Sequence, residues 1–496
     1  MSSHDDARLA LLPLILWRTP PGLELILAQE GVPFETARSA HRLSFGGSRF
    51  VLHDGRSVPG KTLRGLLAPG QTAIDIDFLR AGEAVDPLVA LVDDQAADHR
   101  WTVGGRGLVE RVSRRPKAAI RRRLIERLRD RIWALGGVWM RLAPFPYPYR
   151  SAFSLRADLD ESVPDDYHRF AKARTTLDGC ATHFVSTHAY AHHASVVADL
   201  RKLDAQSHGH FHHVYSNSSA NGKNLERAHR ILQGAGIEPV GFAAPHGRWN
   251  PGLDDALEDL GYLYSSDFQL GYDDLPFFPW KNGRFSRILQ IPIHPVCEGL
   301  FVEAGIDDPA TIGGYFHQVV ADRAAAGELV VVYGHPERRL GRMPGVMAEI
   351  ARSVADRAFL WRATFTEISR WWRWRGERKW LVLPRADGRC EIQFEEWDSR
   401  YPLAVAIERG GFRCAAPIAG PRTVLGLNSL AYERVQTLSD AAPVPIARAP
   451  SLKRVLRRAL DWETATPIDE LPKGTFGLEI KRGLRRWKQA RARATA

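Results

Sequence analysis

The 496-residue chain has four cysteines, and Cys180, Cys297, Cys390 and Cys414 stand far apart with no CxxC pair. This spacing excludes a disulfide framework and a zinc knuckle and predicts free thiols in a reducing compartment. No run of about 18 consecutive apolar residues occurs, so no segment is suited to crossing a bilayer. The first apolar run, Leu9 to Trp17, follows Asp5 and Asp6 rather than basic residues, contains Pro13 and lacks a small-residue cleavage site. It reads as a strand, not a secretory signal, and the chain is expected to be cytoplasmic. Internal repeats and low-complexity tracts are also missing, which sets aside solenoids and fibrous arrays.

What is present is ordinary globular material, 44% hydrophobic and 25% charged, in a chain too long for one core. The net charge of +11 is unevenly spread. Between Arg111 and Arg131 ten basic residues stand against Glu126 and Asp130, and from Lys473 to the end eight face only Glu479. Within them, Lys117 to Arg131 and the tail Lys481 to Arg493 are candidates for peripheral contact with anionic lipid at the inner face of the membrane, at about 1 kcal/mol per well-placed cation. Nucleic acid is the poorer partner because no base-reading motif accompanies the arginines.

Patterning divides the chain in three. Residues 1–148 predict an α/β domain ending in a basic amphipathic helix, Lys117 to Leu135, with Ile120, Leu124, Leu128 and Ile132 on one stripe. Residues 149–375 alternate short apolar strands (Ala152 to Leu159, Thr182 to Ser186, Val240 to Ala243, Ile288 to Ile293, Leu329 to Tyr333) with helical stretches, as in a parallel barrel. Residues 376–496 predict a β-rich region with a basic tail. Trp371, Trp372 and Trp374, near the end of the middle segment, fit helix packing better than a sugar platform.

Polar residues with chemical potential gather where those strands end. In Phe153-Ser154-Leu155-Arg156-Ala157-Asp158-Leu159-Asp160, period two puts Arg156, Asp158 and Asp160 on one face, with the two carboxylates roughly 6.6 Å apart at the backbone. One can bind a metal while the other takes a proton from water. Eight of the 18 histidines lie between His183 and His213. His208 and His212, four apart, would share one face of a helical turn and offer imidazole to zinc, with His210 and His213 competing. Further on come the turn Ala244-Pro245-His246-Gly247-Arg248, the segment Ser265-Ser266-Asp267-Phe268, and the strand end Tyr333-Gly334-His335-Pro336.

These five pieces, in this order, resemble the polysaccharide deacetylase family, the NodB-homology domain of carbohydrate esterase family 4, over about 149–374. The resemblance implies an irregular (β/α) barrel with one divalent metal ion, zinc being the expected one. Asp160, His208 and His212 would be its ligands and Asp158 the general base. The backbone N–H of His246 would support the oxyanion, and His335, oriented by Asp267, would be the general acid. Two positions depart from the family pattern. Ala243 stands where the family has an arginine that holds the base, leaving Arg156 or Arg248 as its replacement, and the fourth motif keeps only one carboxylate, Asp267.

The function so implied is metal-dependent removal of an N-acetyl or other N-acyl group from an amino sugar, in a glycan or a lipid-linked glycan precursor. The competing expectation is an impaired relative that binds glycan without cleaving it, which Ala243 would favour.

Overall fold

The computed structural model describes residues 13–37, 50–57, 62–63, 65–355, 357–385, 387–434 and 443–447, with 479, 480, 483 and 487. Near the N-terminus four short parallel strands, β1 (Leu14–Trp17), β2 (Phe34–Ala37), β3 (Phe50–His53) and β4 (Thr72–Asp75), lie in the order β2-β1-β3-β4. The hairpin β5 (Ala96–Val103) and β6 (Arg106–Ser113) turns on Gly104 and Gly105. Both have positive φ, 55° and 75°, as a tight two-residue turn requires.

The helix Lys117–Ala134 buries Ile120, Leu124, Leu128 and Ile132, as the periodicity predicts. Most of its arginines have carboxylate partners within the protein. Arg121 meets Glu30, Asp274 and Glu328, Arg123 and Arg127 meet Glu83, and Arg129 meets Glu408. Arg131 faces solvent. The helix therefore ties segments of the protein together through Arg121 and Arg129. The basic tail from Lys481 lies outside the described residues apart from Gly483 and Trp487. Among the described residues no helix is long and apolar enough to cross a membrane.

The middle of the chain forms one parallel sheet in the order β15-β12-β11-β10-β9-β8-β16. Its strands are β8 (Ser151–Leu159), β9 (Ala181–Val185), β10 (Asp204–Ser207), β11 (Gly241–Ala243), β12 (Tyr264–Ser266), β15 (Leu289–Gln290) and β16 (Leu329–Gly334). A small hairpin, β13 (Trp280–Lys281) and β14 (Arg284–Phe285), precedes β15, and β17 (Leu360–Arg362) pairs with the start of β8. The sheet is a parallel half-barrel, and across its open side His294 N–H donates to the Val331 carbonyl at 2.9 Å. Every residue of β8 is buried, so both faces of the strand are covered and its polar residues meet protein rather than water.

The flanking segments interleave. β7 (Met140–Leu142), ahead of the barrel, pairs with β20 (Leu403–Arg409), which pairs with β21 (Phe412–Ile418) and through it β23 (Glu433–Arg434). β18 (Trp380–Pro384), β19 (Cys390–Phe394) and β22 (Arg422–Leu425) form a separate antiparallel sheet, and β24 (Val444–Pro445) returns to pair with β5. Trp371, Trp372 and Trp374 are buried at this junction. Trp371 donates to the Pro144 carbonyl and Trp374 to Asp398, each at 2.7 Å, so these rings pack the molecule.

Candidate metal centre and active site

The carboxyl ends of β8, β10, β11 and β16 bring the sequence candidates together. Asp160 lies just past β8, with its Oδ1 3.0 Å from His208 Nε2 and 3.2 Å from His212 Nε2. The two histidines are not on a helical turn. Residues 208–213 run as bends after β10, with Gly209 at φ 85°. Asn224 fixes that path by accepting from Phe211 N–H at 2.8 Å and donating to the Phe211 and His213 carbonyls. His210 turns to Thr187, 2.9 Å from its Nδ1, and the His213 ring packs on Tyr215. Among the described residues, Asp160, His208 and His212 are the ones in this loop system whose ligand atoms converge.

A divalent ion fits this donor set. His208 Nδ1 must carry the proton because it donates to the Ala243 carbonyl at 2.8 Å, so the Nε2 lone pair points at a carboxylate. His208 Nε2 and Asp160 Oδ1 are both buried without a hydrogen bond. Two acceptors facing each other at contact distance are repulsive unless a proton or cation lies between them, and an N2O set of this kind suits zinc.

Asp158 has an arginine partner on its own strand. Arg156, 1% exposed, holds Asp158 with two parallel hydrogen bonds of 2.7 and 2.6 Å, and its Nη1 donates to the Ser266 carbonyl and hydroxyl at 3.1 Å each. Its guanidinium lies between the rings of Phe184 and Tyr333. Burial raises the pKa of Asp158, but its charged surroundings, Arg156 foremost, outweigh it and hold the carboxyl below its usual range. The Arg248 backbone follows the turn of β11, and His246 stands there at φ 57° with its ring 4.8 Å from His212. Gly247, at φ 58°, is held to glycine because a Cβ would lie 2.3 Å from the Phe268 ring.

His335 Nε2 lies 3.6 Å from Asp160 Oδ2. Its Nδ1 meets Glu298 Oε1 at 2.8 Å, and the same oxygen accepts from the His335 backbone N–H at 3.0 Å. Gly334 makes room, since a Cβ there would come 2.3 Å from Glu298 Oε2. Glu298, not Asp267, is therefore the carboxylate on His335. Asp267 is fully buried elsewhere, accepting from Leu270 N–H at 3.0 Å and from Gln290, and burial pushes its pKa up to about 7. Burial alone would depress His335, but Glu298, Cys297 and Asp160 hold it well above the usual histidine range. Cys297, Glu298 and His335 form a second group of potential ligand atoms, yet Arg339 Nη1, 3.2 Å from His335 Nδ1 and 3.8 Å from Glu298 Oε1, already supplies the positive charge there.

No family model matches the chain, and no curated protein does. Solved structures do. A Mycobacterium smegmatis protein assigned to the polysaccharide deacetylases aligns at 20% identity and a TM-score of 0.41, covering 47% of this chain and 94% of its own. An allantoinase aligns at 19% identity and a TM-score of 0.41, over 47% of this chain and 93% of its own. A family 4 carbohydrate esterase pseudoenzyme from Bacillus anthracis follows at 12% identity and a TM-score of 0.31, over 45% of this chain and 66% of its own.

Proposed function

We propose that the chain is a metal-dependent hydrolase that removes an acyl group, in the first instance acetyl, from the nitrogen of an amino sugar in a glycan or lipid-linked glycan precursor. The observation that carries this reading is the convergence of Asp160, His208 and His212 beside two separately supported proton-transfer groups, Asp158 on Arg156 and His335 on Glu298. A divalent ion bound by Asp160, His208 and His212 would polarise the acyl carbonyl and lower the pKa of water toward 7. Asp158, kept charged by Arg156, takes the proton of the attacking water. The His246 backbone N–H steadies the developing negative charge. His335 then gives its Nε2 proton to the departing amine, which converts a poor leaving group into a neutral one, while Glu298 holds its Nδ1–H.

The alternative reading, a non-catalytic glycan binder, has Ala243 as its best support, and against it stands Arg156, which reaches Asp158 from the same strand. Metal content per chain, after dialysis against a weak chelator, tests the proposal. About one equivalent is expected in wild type and almost none in His212→Ala. Acetate release from N-acetylated glucosamine oligomers should accompany the loaded form, and a chain that takes up no metal would end this reading.

A further inference from the structure

The loop that carries His335 is fastened to the helix that follows Asp160. That helix, Pro164–Ala173, holds Asp166 in its first turn, and Asp166 is fully buried. Its carboxylate accepts from the Arg338 backbone N–H at 2.8 Å, from Arg342 Nε at 3.0 and 3.1 Å, and from Arg169. Two of these donors belong to the segment directly after His335. The segment is tightly wound, with Leu340 N–H donating to the His335 carbonyl at 3.0 Å and Gly341 N–H to the Pro336 carbonyl at 2.8 Å.

This conformation is strained. Arg338 has φ 59°, a left-handed backbone that a non-glycine residue keeps only when its surroundings impose it. Gly341 lies so close to the helix that a Cβ would sit 2.2 Å from the Asp166 carbonyl. Glu298 holds the other end of the segment through the His335 N–H. An acidic residue in a first helical turn also favours the helix dipole, but exposed Asp165 in the same turn supplies that, and the dipole does not require a buried carboxylate with three partners.

We propose that Asp166 is a positioning residue that ties the His335 loop to the helix after Asp160 and so fixes the acid-bearing imidazole against the metal-binding carboxylate. It touches no substrate and acts through Arg338 and Arg342. Its catalytic consequence rests on the function proposed above, whereas the tie itself does not. Trypsin cleaves after arginine, and Arg338, Arg339 and Arg342 all lie in the fastened segment. Limited trypsin digestion of the metal-loaded protein should leave 338–342 intact in wild type and in Asp165→Ala, and should cut there in Asp166→Ala. The same variant should lose about 10²-fold in kcat, the scale of a misplacement near 1 Å, with KM and metal content unchanged. Asp166→Asn, which still accepts from the Arg338 N–H, should lie between. If Asp166→Ala does not fold, Arg342→Gln carries the same test with cleavage after Arg338 and Arg339. Wild-type protection of the segment in these variants overturns the tie. Cleavage without the kcat loss overturns the positioning role. A wild-type protein that releases no acetate overturns the proposed function and leaves the digestion to judge the tie alone.

Discussion

Two of the buried charge clusters in this protein are built in opposite ways. Around the helix Lys117–Ala134, Arg121 is 3% exposed and meets Asp274 at 2.8 Å, Glu328 at 3.4 Å and Glu30, while Arg141 meets Glu30 at 3.0 Å and Glu408 at 2.8 Å. Guanidinium faces carboxylate throughout. At the carboxyl end of the barrel Asp160 faces three imidazoles, and His208 Nε2 and Asp160 Oδ1 have no hydrogen bond. Burial of charge is common to both and so does not mark a site. The mark is an acceptor left facing another acceptor, because that arrangement costs stability unless a cation completes it.

The largest expected contrast is between Asp158 and Arg121. Asp158→Asn should keep its metal and lose up to about 10⁴-fold in turnover, the upper range for removal of a general base. Full activity in that variant would remove Asp158 from the mechanism. Arg121→Ala leaves three carboxylates without their common partner and should lower unfolding free energy by about 3–5 kcal/mol in a denaturant titration. Metal stoichiometry of the folded fraction should not change, and a loss of metal there would join the two clusters.

A smaller effect separates the two carboxylates that compete for His335. Glu298→Gln should lower kcat by about 10²-fold, since the amide can no longer stabilise the imidazolium. Asp267→Asn, whose side chain bonds Leu270 N–H and Gln290, should stay within a few-fold of wild type. The reverse ranking in steady-state kinetics would return His335 to Asp267.

Most of the barrel's strands and the helix Lys117–Ala134 were legible because periodicity reports burial, and the helix's apolar stripe is the surface it hides. Asp158, Asp160 and His335 were legible as candidates because polar residues gather at the ends of the apolar strands, whereas His208 and His212 were legible by their four-residue spacing, which the structure realises on bends rather than on a helical turn. Glu298 was not, since an acid opening the six-residue helix Glu298–Glu303 has no pattern of its own and becomes informative only when β16 is placed beside it. β10 escaped because Asp204-Ala205-Gln206-Ser207 has no apolar run, its polar side chains bonding Thr182 and Thr366 inside the barrel. The arginine run was legible as charge but not as an internal clamp, because its carboxylates come from residues as distant as Glu30, Glu328 and Glu408.

The clamp's own electrostatics give the smallest and most specific test. Burial raises the pKa of Glu408, but Arg141, Arg413 and Arg129 outweigh it and hold the carboxyl well below the usual glutamate range. A carboxylate depressed in the folded state contributes stability that is complete above its unfolded pKa near 4.5 and is lost as pH falls toward the folded value. Glu328 shifts in the same direction through Arg121 and Arg122, whereas burial raises Asp274, whose linkage has the opposite sign and offsets part of the slope. In chelator-treated protein, where metal release cannot contribute, unfolding free energy should therefore fall by about 2 kcal/mol between pH 5 and pH 3. Glu408→Gln should be less stable at pH 6 and show a shallower fall. An unchanged slope in that variant would mean that the acid sensitivity lies elsewhere and that the guanidinium cluster is not the clamp its geometry describes.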